Sequence, residues 1–109
     1  MKEVIKMNNE ELMKRELERK ERYLAKMKEL FYKQLEKQNI EMVNDGGYFY
    51  NLKYKDVMIY LLSNTDWNSW NTHYRVMING KTLATRCNLD TAILKAKLFI
   101  EGVNKNESN

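Results

Sequence analysis

The chain has one cysteine, no proline and only 4 glycines in 109 residues, and it has a single histidine. One cysteine, Cys87, excludes an internal disulfide and a metal centre built on several thiolates. One histidine, His73, excludes a site with two histidine ligands. The glycines form no phosphate-cradling loop, because Gly46-Gly47 is followed by Tyr48 and Phe49 rather than by Lys and Ser/Thr. The longest apolar run, Val57 to Leu62, is far below the ~20 residues that a membrane span needs. No basic stretch followed by an apolar one stands at the start, so no secretory signal is expected. A lone free thiol fits a reducing cytoplasm. Together these absences lead to the expectation of a non-catalytic cytoplasmic protein with no metal, no cofactor and no membrane attachment.

What the chain does have is charge, 31% of its residues, and amide side chains. There are 14 lysines and 13 asparagines against 4 alanines. Lys and Asn are encoded by AT-rich codons, Gly, Ala and Pro by GC-rich ones. The composition therefore points to an AT-rich genome, such as that of a low-GC bacterium or its phage. The net charge of +4 permits contact with nucleic acid without demanding it.

The length suits a single domain over 1–109. A charged amphipathic helix is expected over 8–43. Asn8 can cap it, Glu11 stands at the third helical position, and Met7 with Leu12 can form a hydrophobic staple. Met13, Leu17, Leu24, Met27, Phe31 and Leu35 fall on one stripe, and Leu17, Leu24 and Phe31 are expected to face protein. Arg15, Arg19, Arg22 and Lys26 line the opposite face and make a secondary candidate surface. Glu11–Arg15, Glu18–Arg22 and Glu29–Lys33 are spaced i,i+4, which favours a solvated, ion-paired face over a phosphate track. The helix leaves a monomer or a helix-mediated dimer open, although Lys20 interrupts the heptad.

A sheet and a C-terminal helix are expected over 47–103, with a flexible tail at 104–109. Residues 48–55 alternate as a half-buried strand. Residues 57–62 are apolar on both sides and read as a central strand, or as a short helix capped by Asp56. Residues 63–69 read as a polar turn, and Trp70, Thr72, Tyr74, Val76 and Ile78 as the inward set of the next strand. Asn79-Gly80 is a strong two-residue hairpin signal. It leads into a strand over 81–87, with Leu83 and Cys87 inward and His73 outward. Asn88 can cap the last helix, and Gly102 stands near its end. The expected fold is α+β: a long N-terminal helix, a three- to four-stranded antiparallel sheet and a C-terminal helix.

The candidate site lies on the outward face of that sheet. Lys53, Lys55, His73, Arg75 and Arg86 are placed there together with Asn51 and Thr82, and no acid joins them. Trp67, in a polar loop beside them, is a candidate anchor for a partner. Cys87 reads as a buried structural thiol.

From His73 to Lys97 the sequence HYRVMINGKTLATRCNLDTAILKAK resembles the strand–turn–strand–helix pattern of AP2-like and integrase-arm-type DNA-binding domains of phage and mobile-element proteins. The likeness rests on the Tyr-x-Val-x-Ile-Asn-Gly-Lys hairpin and on Leu-Asp-x-Ala at the helix start. It implies a sheet laid in the DNA major groove, with contacts from Arg75, Lys81 and Arg86. Thr85-Arg86-Cys87 stands where that family has a small residue followed by an aromatic one.

Two functions follow as expectations. The first is a small phage- or mobile-element-encoded inhibitor, anti-CRISPR-like, that occludes a host nucleic-acid-handling machine such as a CRISPR effector nuclease. Its partner would be a host protein or ribonucleoprotein complex in the host cytoplasm. The second is a regulator that binds DNA or RNA directly through the sheet face.

Overall fold

The computed structural model describes residues 9–102. The proposed cap at Asn8, the Met7 half of the staple and the 104–109 tail lie outside the described residues. The chain divides into two compact units between Gln34 and Leu35. No helix among the described residues is long and apolar enough to cross a membrane.

Helix α1 spans Asn9–Lys37, and its residues up to Gln34 make up the described part of the first unit. Glu10 and Glu11 in its first turn complement the helix dipole. Lys33 pairs with Glu29 at 3.5 Å as the i,i+4 spacing predicts, and Arg19 pairs with Glu16 at 3.6 Å. Met13, Leu17 and Leu24 are exposed at 69%, 56% and 47%, whereas Phe31 is buried. The expectation that Leu17 and Leu24 face protein is therefore corrected. Among the described residues the first unit holds no element besides this helix against which to bury the stripe.

The helix also stops at Lys37, short of the expected 43. Asn39 adopts a left-handed φ of 60°, and the N–H groups of Asn39 and Ile40 donate to the carbonyls of Glu36 and Leu35. This is a Schellman cap with asparagine in the position glycine usually takes. Ile40 and Leu35, both buried, supply the apolar contact expected of that motif.

The second unit holds the sheet and α2. Strand β1 (Glu41–Asp45) starts directly after the cap, followed by β2 (Phe49–Tyr54), β3 (Val57–Asp66), β4 (Asn71–Ile78) and β5 (Lys81–Cys87). They form one antiparallel meander in the order β1-β2-β3-β4-β5. The α+β class is as expected, and β1 raises the strand number above the three or four foreseen. Residues 57–62 are strand, not helix. The strand runs on to Asp66, so the polar turn begins at Trp67 rather than at Ser63.

Two hairpins turn on left-handed residue pairs. Asn79 and Gly80 have φ of 53° and 78°, as the Asn-Gly signal predicts. Lys55 and Asp56 do the same at 51° and 67° without a glycine.

Helix α2 (Leu89–Glu101) packs on β4 and β5. Asn88 caps it, its side-chain oxygen accepting from the Thr91 N–H at 2.8 Å, and Gly102 closes it in the left-handed region. Tyr50, Leu52, Ile59, Leu61, Val76 and Ile78 meet Ala92, Ile93 and Ala96 in the core. The void left among them is only about 10 Å³, too small to hold a water comfortably.

The C-terminal turn of α2 is fastened to the β2–β3 hairpin by Glu101. The Tyr54 hydroxyl donates to Glu101 Oε2 at 2.6 Å, and Lys55 Nζ lies 3.5 Å from the same oxygen. The Tyr54 hydrogen bond, helped by Lys55 and Lys97, holds the Glu101 carboxyl below its ordinary range. The same bond raises the Tyr54 phenol. A carboxyl depressed in the folded state contributes stability at neutral pH that is lost as the pH falls through its folded value. A phenol raised on folding contributes stability that is lost as the pH rises past its ordinary 10.0. Urea midpoints should therefore separate wild type from Glu101→Gln at neutral pH, and the gap should shrink as the carboxylate is protonated. A gap that is constant down to pH 3 would deny the bond its role.

Candidate binding face

Directly opposed residues of an antiparallel ladder share a face, so the register shows what the side away from α2 presents. Across the sheet the rows read Asn44–Asn51–Tyr60–Met77–Thr82, Phe49–Leu62–Arg75 and Glu41–Lys53–Met58. Asn64 opposes His73 near the far end. Lys53, His73 and Arg75 therefore stand where alternation places them, with Asn51 and Thr82 beside them. Arg75 donates to Thr82 Oγ1 at 3.3 Å, which steadies its guanidinium.

Three expectations about this face are corrected. Lys55 is not on it: the left-handed turn takes Lys55 out of strand alternation, and its Nζ sits 5.5 Å above the Tyr54 ring, next to Glu101. Lys81 is not on it either. Lys81 pairs with inward Ile78, and its Nζ reaches the Phe99 ring of α2 at 5.7 Å. An acid does join the face, because β1 brings Glu41 opposite Lys53.

Arg86 is placed by a bulge. Tyr74 pairs with Cys87 and Val76 with Ala84, so Thr85 and Arg86 together oppose Arg75. A second irregularity, between Val76 and Met77, gives Ala84 the inward rung that alternation assigns to Leu83. Arg86 holds a φ of 50°. A non-glycine residue there costs about 1–2 kcal/mol. The bulge brings Arg86 to the rim of a pocket of about 350 Å³ lined also by Leu62, Asn64, His73, Arg75 and Thr85. Three of the candidate residues, His73, Arg75 and Arg86, thus converge on one concavity.

Trp67 lies in the β3–β4 turn, half-buried, with its ring centroid 5.0 Å from that of Trp70 in an edge-to-face pair. Trp70 is not core, as its strand phase suggested. It sits in the turn with a φ of 57° and is half-buried. Nearby Asp66 accepts from the Asn68 N–H at 2.9 Å, which lowers its carboxyl, with a further contribution from the His73 charge. Cys87 is half-buried beneath the sheet, its thiol donating to the Tyr74 carbonyl at 3.4 Å, and burial pushes its pKa up. A thiol so placed is a poor nucleophile. Arg15, Arg19, Arg22 and Lys26 are exposed on α1. Among the described residues no group of three or more His, Cys, Asp and Glu is gathered as metal ligands.

The sequence reading missed the apolar half of the face. Met58 and Tyr60 are exposed at 44% and 37%, and Phe49, Leu62 and Met77 beside them are half-buried. The Phe49 and Tyr60 rings are 6.3 Å apart. The Phe49 ring also lies over Gly46, where an added Cβ would collide with it. Gly46 lacks the left-handed φ of Gly47, so alanine fits its backbone and must displace the ring. Gly46→Ala should thus disturb the Phe49–Tyr60 cluster without deleting a side chain. It is expected to change Tyr60 ring shifts in NMR spectra while the α2 resonances stay in place.

No protein-family model matches the chain, and neither a curated protein nor a solved structure matches it.

Proposed function

We propose that the chain is a non-catalytic binding protein that uses the outer sheet face to occlude a host nucleic-acid-handling machine, in the manner of an anti-CRISPR protein encoded by a phage or mobile element. The observation that carries the reading is the make-up of the face: Met58 and Tyr60 exposed at its centre, with Lys53, Arg75, Arg86 and amide side chains around them. An apolar, aromatic centre inside a polar rim is the pattern of a protein–protein interface. A surface that tracks phosphates would instead carry cations across its middle. The AT-rich-type composition supports the phage assignment.

The test is titration of an assembled CRISPR effector ribonucleoprotein with the protein, reading target cleavage. Naked duplex and single-stranded DNA and RNA serve as separate arms. Saturable inhibition with only weak, non-specific binding of naked nucleic acid is expected, and Cys87→Ala should inhibit as well as wild type. Tight binding of naked nucleic acid with a steep salt dependence would instead favour the second reading, a sheet-face DNA- or RNA-binding regulator. That reading is supported by the AP2-like hairpin and by Arg75 and Arg86 standing together on one pocket.

A further inference from the structure

We propose that the pocket between His73, Arg75 and Arg86 is an anion subsite that takes the carboxylate of an aspartate or glutamate side chain from the partner protein. The inference rests on the reading of the outer face as a protein-binding surface and names the chemistry of its most specific point. Four observations converge on it.

The first is concavity. Here β3, β4 and the bulged end of β5 line a concavity of about 350 Å³. The second is charge. Two guanidinium groups and an imidazole line the pocket, and no carboxylate does. Among the described residues the Arg75 side chain has the Thr82 hydroxyl as its one hydrogen-bond partner, and the Arg86 side chain has none. Asp66, which interacts electrostatically with His73, is not part of the lining, and its carboxylate accepts from the backbone of its own turn. The third is backbone strain at the pocket itself. Arg86 occupies a left-handed conformation that glycine would hold more easily, and strain of this kind gathers at functional positions. The fourth is the surrounding chemistry. Leu62 forms one wall, and its row continues to Phe49, with Tyr60 one row away. An acidic side chain flanked by apolar neighbours on a protein satisfies both halves. A phosphodiester backbone would set its regularly spaced charges over Tyr60 and Met58, and near Glu41 opposite Lys53. Guanidinium groups suit a carboxylate because their paired N–H donors match its two oxygens.

The test uses the isolated full chain and N-acetyl-glutamate-N-methylamide as the probe, with inorganic phosphate and an oligothymidylate as parallel arms. Arginine Nε resonances and the amides of Asn64 and His73 are followed by NMR. Saturable shifts of Arg75 and Arg86 are expected with the glutamate probe, with affinity of about millimolar order. Arg86→Gln and Arg75→Gln should each weaken it about tenfold or more. Arg86→Gly should lose the same affinity while the thermal midpoint holds or rises, which separates lost binding from lost folding. Absence of saturable shifts, or affinity unchanged in both glutamine variants, would overturn the subsite. Saturation of the same resonances by the oligothymidylate at lower concentration than the glutamate probe would assign the pocket to phosphate and overturn it as well. Failure of the effector titration with the glutamate shifts intact would count against the functional reading alone.

Discussion

Replacing Lys53, Arg75 and Arg86 together by glutamate is expected to abolish inhibition of an assembled effector while the protein remains folded. The three changes move the net charge from +4 to −2. Arg75 and Arg86 are exposed, and substitutions at such positions usually stay within about 0.5 kcal/mol. Lys53 faces Glu41 across β1, so a glutamate there sets two like charges opposite each other and costs up to about 1 kcal/mol more. The fold should tolerate that sum, read as a modest fall in thermal midpoint. Binding should not tolerate it. A charge of the wrong sign opposite a desolvated partner carboxylate costs about 2–5 kcal/mol or more, a loss of well over tenfold. Tyr60→Ala should act through the other half of the surface. As an exposed aromatic at the centre of the face, Tyr60 is placed to be a hot spot worth about 2 kcal/mol or more. Trp67→Ala should be milder, because Trp67 is half-buried and its ring already packs edge-to-face with Trp70. If the triple variant and Tyr60→Ala both inhibit at wild-type concentration, the outer face is not the contact surface and attention moves to Arg15, Arg19, Arg22 and Lys26 on α1.

The two halves of this face were unequally legible in the sequence. The cations could be found because strict alternation of β2 and β4 puts Lys53, His73 and Arg75 on one side. The apolar half was hidden because residues 57–62 are apolar on both sides, and such a run reads as a strand covered on both sides. The strand is central, as read, yet Met58 and Tyr60 are exposed. An apolar run on both faces therefore has two explanations, full burial or one buried face and one binding face. Periodicity cannot choose between them.

The other misses are local. Strand β1 is short and polar, and Met42 and Val43 prolong the spacing of the helix before it. Only Asn39 in the left-handed region breaks the chain there, and asparagine is a weaker marker of such a cap than glycine. The same limit hid the Lys55–Asp56 turn, whereas Asn79-Gly80 was plain. The bulge at Thr85–Arg86 left no trace in the sequence, because no glycine marks the left-handed residue.

Adjacent leucines on β3 provide the sharpest check of which side does what. Leu61 is 1% exposed, opposes Tyr50 and Val76, and lines the small void under α2. Leu61→Ala enlarges that void against a layer that can collapse only partly, and should cost about 2–5 kcal/mol. For so small a unit this is enough to populate the unfolded state visibly at physiological temperature. Leu62 follows it in sequence but opposes Phe49 and Arg75 and forms a wall of the pocket. It is half-buried, so Leu62→Ala should cost about 1 kcal/mol or less in stability. Its loss should instead weaken partner binding by removing apolar contact beside the guanidinium groups. Urea denaturation and the effector titration, run on both variants, should give opposite orders of severity. Equal destabilisation by the two substitutions would mean that Leu62 is buried in solution, and the face would then lack the open apolar centre on which the binding argument depends.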